Sequence, residues 1–317
     1  MGKFPIITNE DLQKEPHWVM TPEQEALPYA KYQKKPIGEI SQENLDAINA
    51  GPCDPTLALP IEKRSNMLDP GYQAVETGFC KMPDGSGFAA TRVFMPGMTP
   101  EMWDWWLNWH CLSDIRCGLW IPNAHTGAYC GDPSRHLDSS GLSMATRNWG
   151  QLHFPKEGLM SLEESDYFMI KFYSPEDFGI DRLRLMVSPV KSWCGGSVIG
   201  FGSAAKSLWG HYAEELQDKD PNAEIPFNVL FHTVRVVEGG CEMRHRYWLG
   251  KELRDGKAYN APFPEGMDME MMAWTMCRHS LLEYSNLATI LPSLYKEMEG
   301  KIDTKYESDF KTPADFQ

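Results

Sequence analysis

The sequence predicts an α+β protein: a run of antiparallel strands followed by one long helix near the C-terminus. Three observations carry this. Segments between residues 88 and 249 are rich in β-branched and aromatic residues and alternate with period two. Two of them are joined by Glu238-Gly239-Gly240-Cys241, a hairpin turn signal. From about Met267 to Met298 the apolar residues recur in steps of three and four, the period of a helix. Strands and helix segregated along the chain make an α+β pattern.

The elements follow in order. Residues 1–85 carry ten prolines, among them Pro5, Pro28, Pro52 and Pro70, with few long apolar runs. Proline removes a backbone donor and interrupts helices and ladders, so this stretch reads as short helical and extended pieces wrapped on something larger. It is taken as an appendage, a small domain or a dimerisation arm giving a homodimer, with residues 86–317 as the main domain. Phe88–Phe94 reads as a strand. Thr99-Pro100-Glu101 is a helix start, with Thr as cap and Pro at the first helical position, opening an aromatic helix from Met102 to Trp109. Tyr167–Tyr173, Leu183–Val187, Ser197–Phe201, Asn228–Val237 and Cys241–Leu249 read as further strands. If Gly239 and Gly240 form the two-residue loop, His232 faces Tyr247 directly across the hairpin, both on a largely apolar face. In the C-terminal helix, with Pro292 a kink position, one stripe runs Met272, Met276, His279, Glu283, Leu287, Ile290, Leu294.

Composition narrows the function. The 317 residues are 42% hydrophobic and 23% charged, as in a globular protein, with a formal charge of −14. An acidic balance argues against nucleic acid, whose phosphates need a basic surface, and against anionic lipid. No run approaches the ~18 apolar residues of a membrane span, and the N-terminus lacks an apolar signal segment. The eight cysteines form no CxxC pair. Eighteen methionines and those thiols suit a reducing, cytoplasmic setting. GxGxxG, P-loop, GxSxG and HExxH patterns are all absent. The run Gly195–Gly202 reads as a strand with glycine kinks.

The chemistry concentrates at His279-Ser-Leu-Leu-Glu283. Residues four apart on a helix lie one turn apart and converge on one point. A carboxylate on a core face requires a partner, and a metal ion would satisfy it; a plain His–Glu hydrogen bond at a groove edge would also do so. His125, ending the segment Trp109–His125, is a candidate imidazole ligand, with His110, His136 and His153 as nearby competitors. Glu157, just after Pro155, is a carboxylate that could complete the site; Glu163 and Glu164 are substitutes more readily explained as solvated charge. Trp105, Trp106, Trp109 and Trp120 read either as core packing or as walls of an apolar pocket.

These stretches carry a resemblance. Met95–Trp106, Trp109–His125, Lys171–Gly179, Arg246–Gly250 and His279–Glu283, in this order and spacing, resemble the diacetylphloroglucinol hydrolase and phloretin hydrolase family. The resemblance covers most of residues 86–290. It implies a helix-grip, Bet v 1-like fold, in which a curved antiparallel sheet grips the long helix. It implies one Zn2+ held by His125, Glu157, His279 and Glu283, and substrate contacts from His232 and Tyr247. Two positions depart from the family pattern: Cys117 stands where a Tyr precedes the first ligand His by eight, and Ala128 stands where a polar residue follows it by three. A smaller, less polar wall there favours a bulky arylpropanoyl chain over acetyl.

The implied activity is hydrolysis of the carbon–carbon bond between an acyl group and a phloroglucinol ring, by retro-Claisen cleavage of the ring's keto tautomer. The partner is then a small acylated polyphenol, with no organic cofactor. Two rivals stand beside it: a non-enzymatic helix-grip protein carrying an apolar aromatic ligand, and a non-haem iron dioxygenase acting on a phenol. The second is disfavoured because two His and two carboxylates are not the usual facial triad.

Overall fold

The computed structural model describes residues 3–201, 227–261, 263 and 265–300. Eight strands form one antiparallel sheet: β1 Gly78–Lys81, β2 Gly87–Pro96, β3 His125–Cys130, β4 Leu152–Glu157, β5 Asp166–Phe172, β6 Val190–Phe201, β7 Phe227–Val237 and β8 Gly240–Leu249. Their spatial order is β1-β2-β8-β7-β6-β5-β4-β3. A two-stranded ribbon, β9 Lys251–Arg254 with β10 Lys257–Asn260, follows. The described helices are α1 Asn9–Leu12, α2 Pro22–Glu25, α3 Gln42–Asn49, α4 Pro100–Trp109, α5 Asp114–Gly118, α6 Met144–Arg147, α7 Arg182–Val187 and α8 Met269–Met298. The long α8 packs against β2, β1 and β8. This is the α+β helix-grip arrangement: one large sheet closed over a single C-terminal helix.

The caps expected from the sequence organise the helices. Thr99 accepts from Met102 N to start α4. Asp268 accepts from Glu270 and Met271 N to start α8, which then continues through Pro292. The stripe from Met276 to Leu294 is buried, with His279 and Glu283 among its apolar members. Trp103, Trp106 and Trp274 have essentially no exposed surface and fill the layer between helix and sheet.

Two expectations are corrected. Leu183–Val187 is helical, not a strand: Asp181 caps Leu183 N, and Arg, Leu and Met suit the helix that follows. The hairpin loop is Glu238–Gly239, and Gly240 pairs with Val237. His232 therefore faces His245, and Tyr247 faces Leu230. The reason lies on the neighbouring strand. Gly239 takes the turn's positive φ of 80°, whereas a Cβ on Gly240 would stand 2.2 Å from Met95 O. Gly240 is needed for close approach of β2, not for the turn. The first strand of the sheet begins at Gly78 and pairs with β2. Of the glycine run, Gly195 and Gly196 lie in β6, while Gly202 is outside the described residues.

The N-terminal segment packs on its own chain: Ile7, Leu12, Tyr29, Ile37 and Ile48 join the main core. Asn286 on α8 ties this segment and the turn after α5 to the helix. Its Oδ1 accepts from Gly38 N at 3.1 Å, and its Nδ2 donates to Leu119 O and Trp120 O at 3.0 and 2.9 Å. All are buried, so Asn286→Ala leaves three backbone groups unpaired. The expected loss is about 2–3 kcal/mol, read as a lower urea midpoint with unchanged slope.

Candidate metal centre

His125 opens β3 and Glu157 closes β4, and the two are partners in the ladder. A register shift between His125 and Gly127 interrupts the pairing there; such irregularities re-aim a side chain at a strand end. His279 and Glu283 come from one face of α8, one turn apart. Ligand atoms of all four side chains lie within 4.8 Å of one another. Glu157 Oε2 is 3.0 Å from His125 Nε2 and 2.7 Å from His279 Nε2. Glu283 Oε1 stands 3.5 and 3.7 Å from the same two nitrogens. The Nε2 atoms themselves are 3.3 Å apart. Glu163 and Glu164, the substitutes considered for Glu157, are exposed in a 3-10 turn away from this cluster.

This donor set fits a divalent cation. Two ionised carboxylates beside two neutral imidazoles would leave a charge of about −2 in a buried site, an arrangement that a dication neutralises. Two His nitrogens and two carboxylate oxygens suit Zn2+ in kind and number. The electrostatics of the bare cluster agree. Burial pushes Glu283 up to about 8, with the Glu157 charge adding to it. For Glu157 burial also acts upward, but His125 and His279 prevail and hold its carboxyl well below the usual range. Behind the site, Cys117 Sγ lies 3.7 Å from His125 Nδ1, while His279 Nδ1 is buried without a partner among the described residues.

The four side chains line a pocket together with Leu107, Trp120, Ala128, Phe168, Val198, Leu230 and Met276, with His232, His245 and Tyr247 on the β7–β8 wall. Cys117 and Ala128 line it too. Of the four tryptophans considered as walls, Trp120 lines the pocket, whereas Trp105, Trp106 and Trp109 pack against one another behind it. His232 and Tyr247 share the pocket face, now as diagonal rather than direct neighbours. Burial depresses His232 to about 3 and raises Tyr247 well above the phenol range, so both are neutral. Tyr284 Oη lies 2.6 Å from His232 Nδ1. With the phenol donating, the imidazole proton sits on Nε2.

Tyr284 and His245 were not singled out from the sequence. Tyr284 follows Glu283 on the helix and carried no pattern of its own. His245 alternates with Tyr247 on β8, and the correct register would have revealed it. The competitors His110, His136 and His153 are not members of the four-residue cluster, and His110 and His153 line the same pocket as it does. His136 forms a second buried group with Cys111 and Cys130. Those side chains are satisfied without an ion: His136 Nδ1 meets Asn108 Oδ1 at 2.8 Å, His136 Nε2 meets His153 Nε2 at 3.1 Å, and Cys111 Sγ donates to Asn108 O.

A largely apolar pocket with an imidazole–carboxylate cluster in its wall, inside a helix-grip fold, defines an enzyme acting on a small molecule. The chain belongs to the family described as the DAPG hydrolase PhiG domain, whose model matches residues 59–296. It is 27% identical over 283 residues to a phloretin hydrolase of Eubacterium ramulus, covering 87% of this chain and 92% of that protein. It is likewise 27% identical over 281 residues to a 2,4-diacetylphloroglucinol hydrolase of a Pseudomonas species, covering 85% and 88%. Among solved structures, Ara h 8.0201 aligns with a TM-score of 0.31 at 10% identity, covering 64% of this chain and 99% of that one. The chain is a hydrolase of the carbon–carbon class. Among the described residues no helix is long and apolar enough to cross a membrane.

Proposed function

We propose that this protein is a zinc-dependent hydrolase that cleaves the bond between an acyl group and a phloroglucinol ring, with phloretin as the preferred substrate and 2,4-diacetylphloroglucinol as a second one. The observation that carries the reading is the convergence of His125, Glu157, His279 and Glu283 in the lining of a largely apolar pocket, in a chain related to hydrolases named for these two compounds. The small side chains of Cys117 and Ala128 on the pocket wall support a bulky acyl group. A cytoplasmic site of action belongs to the same proposal and rests on the thiol-rich, acidic sequence.

His125, Glu157, His279 and Glu283 would hold the ion. When bound, a divalent cation there supplies Lewis acidity, polarising the acyl carbonyl and lowering the pKa of a water. The remaining work falls to the protein. Water oxygen adds to the acyl carbon, the bond from that carbon to the ring breaks, and its electron pair passes into the ring, whose keto tautomer accepts it. A proton then returns to the ring carbon. With Tyr284 donating to its Nδ1, neutral His232 would carry its proton on Nε2 and donate towards a ring oxygen, and Tyr247 would orient a second one. The apolar lining excludes bulk water from the leaving ring. For phloretin the products are phloroglucinol and 3-(4-hydroxyphenyl)propanoate.

Incubation with each substrate and mass analysis of products tests this. Phloretin should be cleaved at full rate without oxygen, and purified protein should carry about one zinc per chain. Activity should vanish with chelator and return with zinc. Metal-free protein with chelator-insensitive properties would leave only a ligand carrier, and a requirement for oxygen would mark a dioxygenase.

A further inference from the structure

Beside His232 and Tyr247, the pocket wall holds a third polar side chain whose hydrogen-bonding capacity is unused. His245 lies directly across the β7–β8 ladder from His232, with ring centroids 4.2 Å apart. Tyr247 is its next neighbour on the same face of β8, at 4.8 Å. His245 is 2% exposed, borders the pocket, and has Nε2 buried without a partner among the described residues. A buried imidazole with an unmatched nitrogen is costly unless a bound group completes it. His232 differs, because Tyr284 already occupies its Nδ1.

We infer that His245 binds a third ring hydroxyl, so that His232, Tyr247 and His245 together select a 1,3,5-trihydroxylated ring over a 1,3-dihydroxylated one. This rests on the acylphloroglucinol reading above and adds the basis of ring selection. The selection has a chemical rationale: the third hydroxyl makes the keto tautomer of the ring easier to reach, and that tautomer accepts the electron pair. A side chain that reads this hydroxyl therefore screens for rings able to leave.

The test uses the zinc-loaded protein with phloroglucinol and resorcinol as probes, their affinities measured by calorimetry. Wild type should bind phloroglucinol about 10-fold more tightly than resorcinol. His245→Phe keeps a ring of similar shape but has no nitrogen. It should lose that preference through weaker phloroglucinol binding, with resorcinol binding and melting temperature held. His245→Asn, which retains a donor and an acceptor, should recover part of the preference. Equal weakening for both ligands, or an unchanged preference in His245→Phe, overturns the inference alone. Absence of any wild-type preference does so without needing a variant. Failure of wild type to bind phloroglucinol at all, together with failure to cleave phloretin, overturns the underlying reading and this inference with it.

Discussion

Glu283→Gln and His279→Ala are expected to abolish turnover and to lower bound metal together. Each removes one of four ligand atoms that lie within 4.8 Å of one another, and each leaves the remaining buried partners uncompensated. His232→Ala and Tyr247→Phe act differently. Both residues lie on the sheet wall, outside the four-residue cluster. Turnover should fall by about 10²- to 10⁴-fold, the range for loss of a positioned proton donor, while metal content is unchanged. Metal analysis and turnover on the same four preparations separate the two groups. Equal loss of metal in all four would contradict the division.

The second large effect concerns stability. Glu76 is the counter-charge for two arginines with no exposed side-chain surface: its Oε1 is 2.6 Å from Arg244 Nη2 and its Oε2 is 2.9 Å from Arg246 Nη2. Both arginines sit on β8, alternating with the pocket residues His245 and Tyr247, and therefore on its opposite face. Glu76→Ala leaves two buried guanidinium groups without that carboxylate, with an expected loss of about 3–5 kcal/mol in urea unfolding. The pair also makes stability pH-dependent. Burial acts to raise the Glu76 carboxyl, but Arg244 and Arg246 hold it down at about 2. A folded-state value below the unfolded one stabilises fully above about 4.5, and that contribution fades as pH falls towards 2. Acid unfolding of wild type should therefore show a component in this window that Glu76→Gln lacks. Parallel acid-stability curves for the two proteins would count against it.

The long helix and most of the central strands were legible in the sequence because each has a sharp period and, for the helices, a cap. His279 and Glu283 were legible for the same reason: helical spacing put two ionisable groups within an apolar stripe. His125 and Glu157 were not fixed by spacing, because the contact between them is a long-range ladder pair with 31 intervening residues between β3 and β4 ends; only the family resemblance selected them. The hairpin register shows a different limit. Two adjacent glycines look alike in the chain, yet Gly239 serves the backbone turn and Gly240 serves a neighbouring strand 2.2 Å from where its Cβ would be. That demand comes from tertiary packing, and missing it hid His245. The helix at Arg182–Val187 was hidden by composition: Leu, Met and Val suit either form, and the deciding signal was the Asp181 cap.

The pairing of Glu283 with Tyr284 on one rigid rod carries a last implication. Glu283, which the proposed function places at the ion, and Tyr284, whose phenol meets His232 Nδ1, are consecutive residues of α8, whereas Cys117 and Ala128 belong to α5 and β3. On the proposed roles, Glu283 and Tyr284 thus lie on a different element from Cys117 and Ala128, whereas His125 shares β3 with Ala128. A substitution at Ala128 would therefore reshape the pocket wall without altering any residue of the rod.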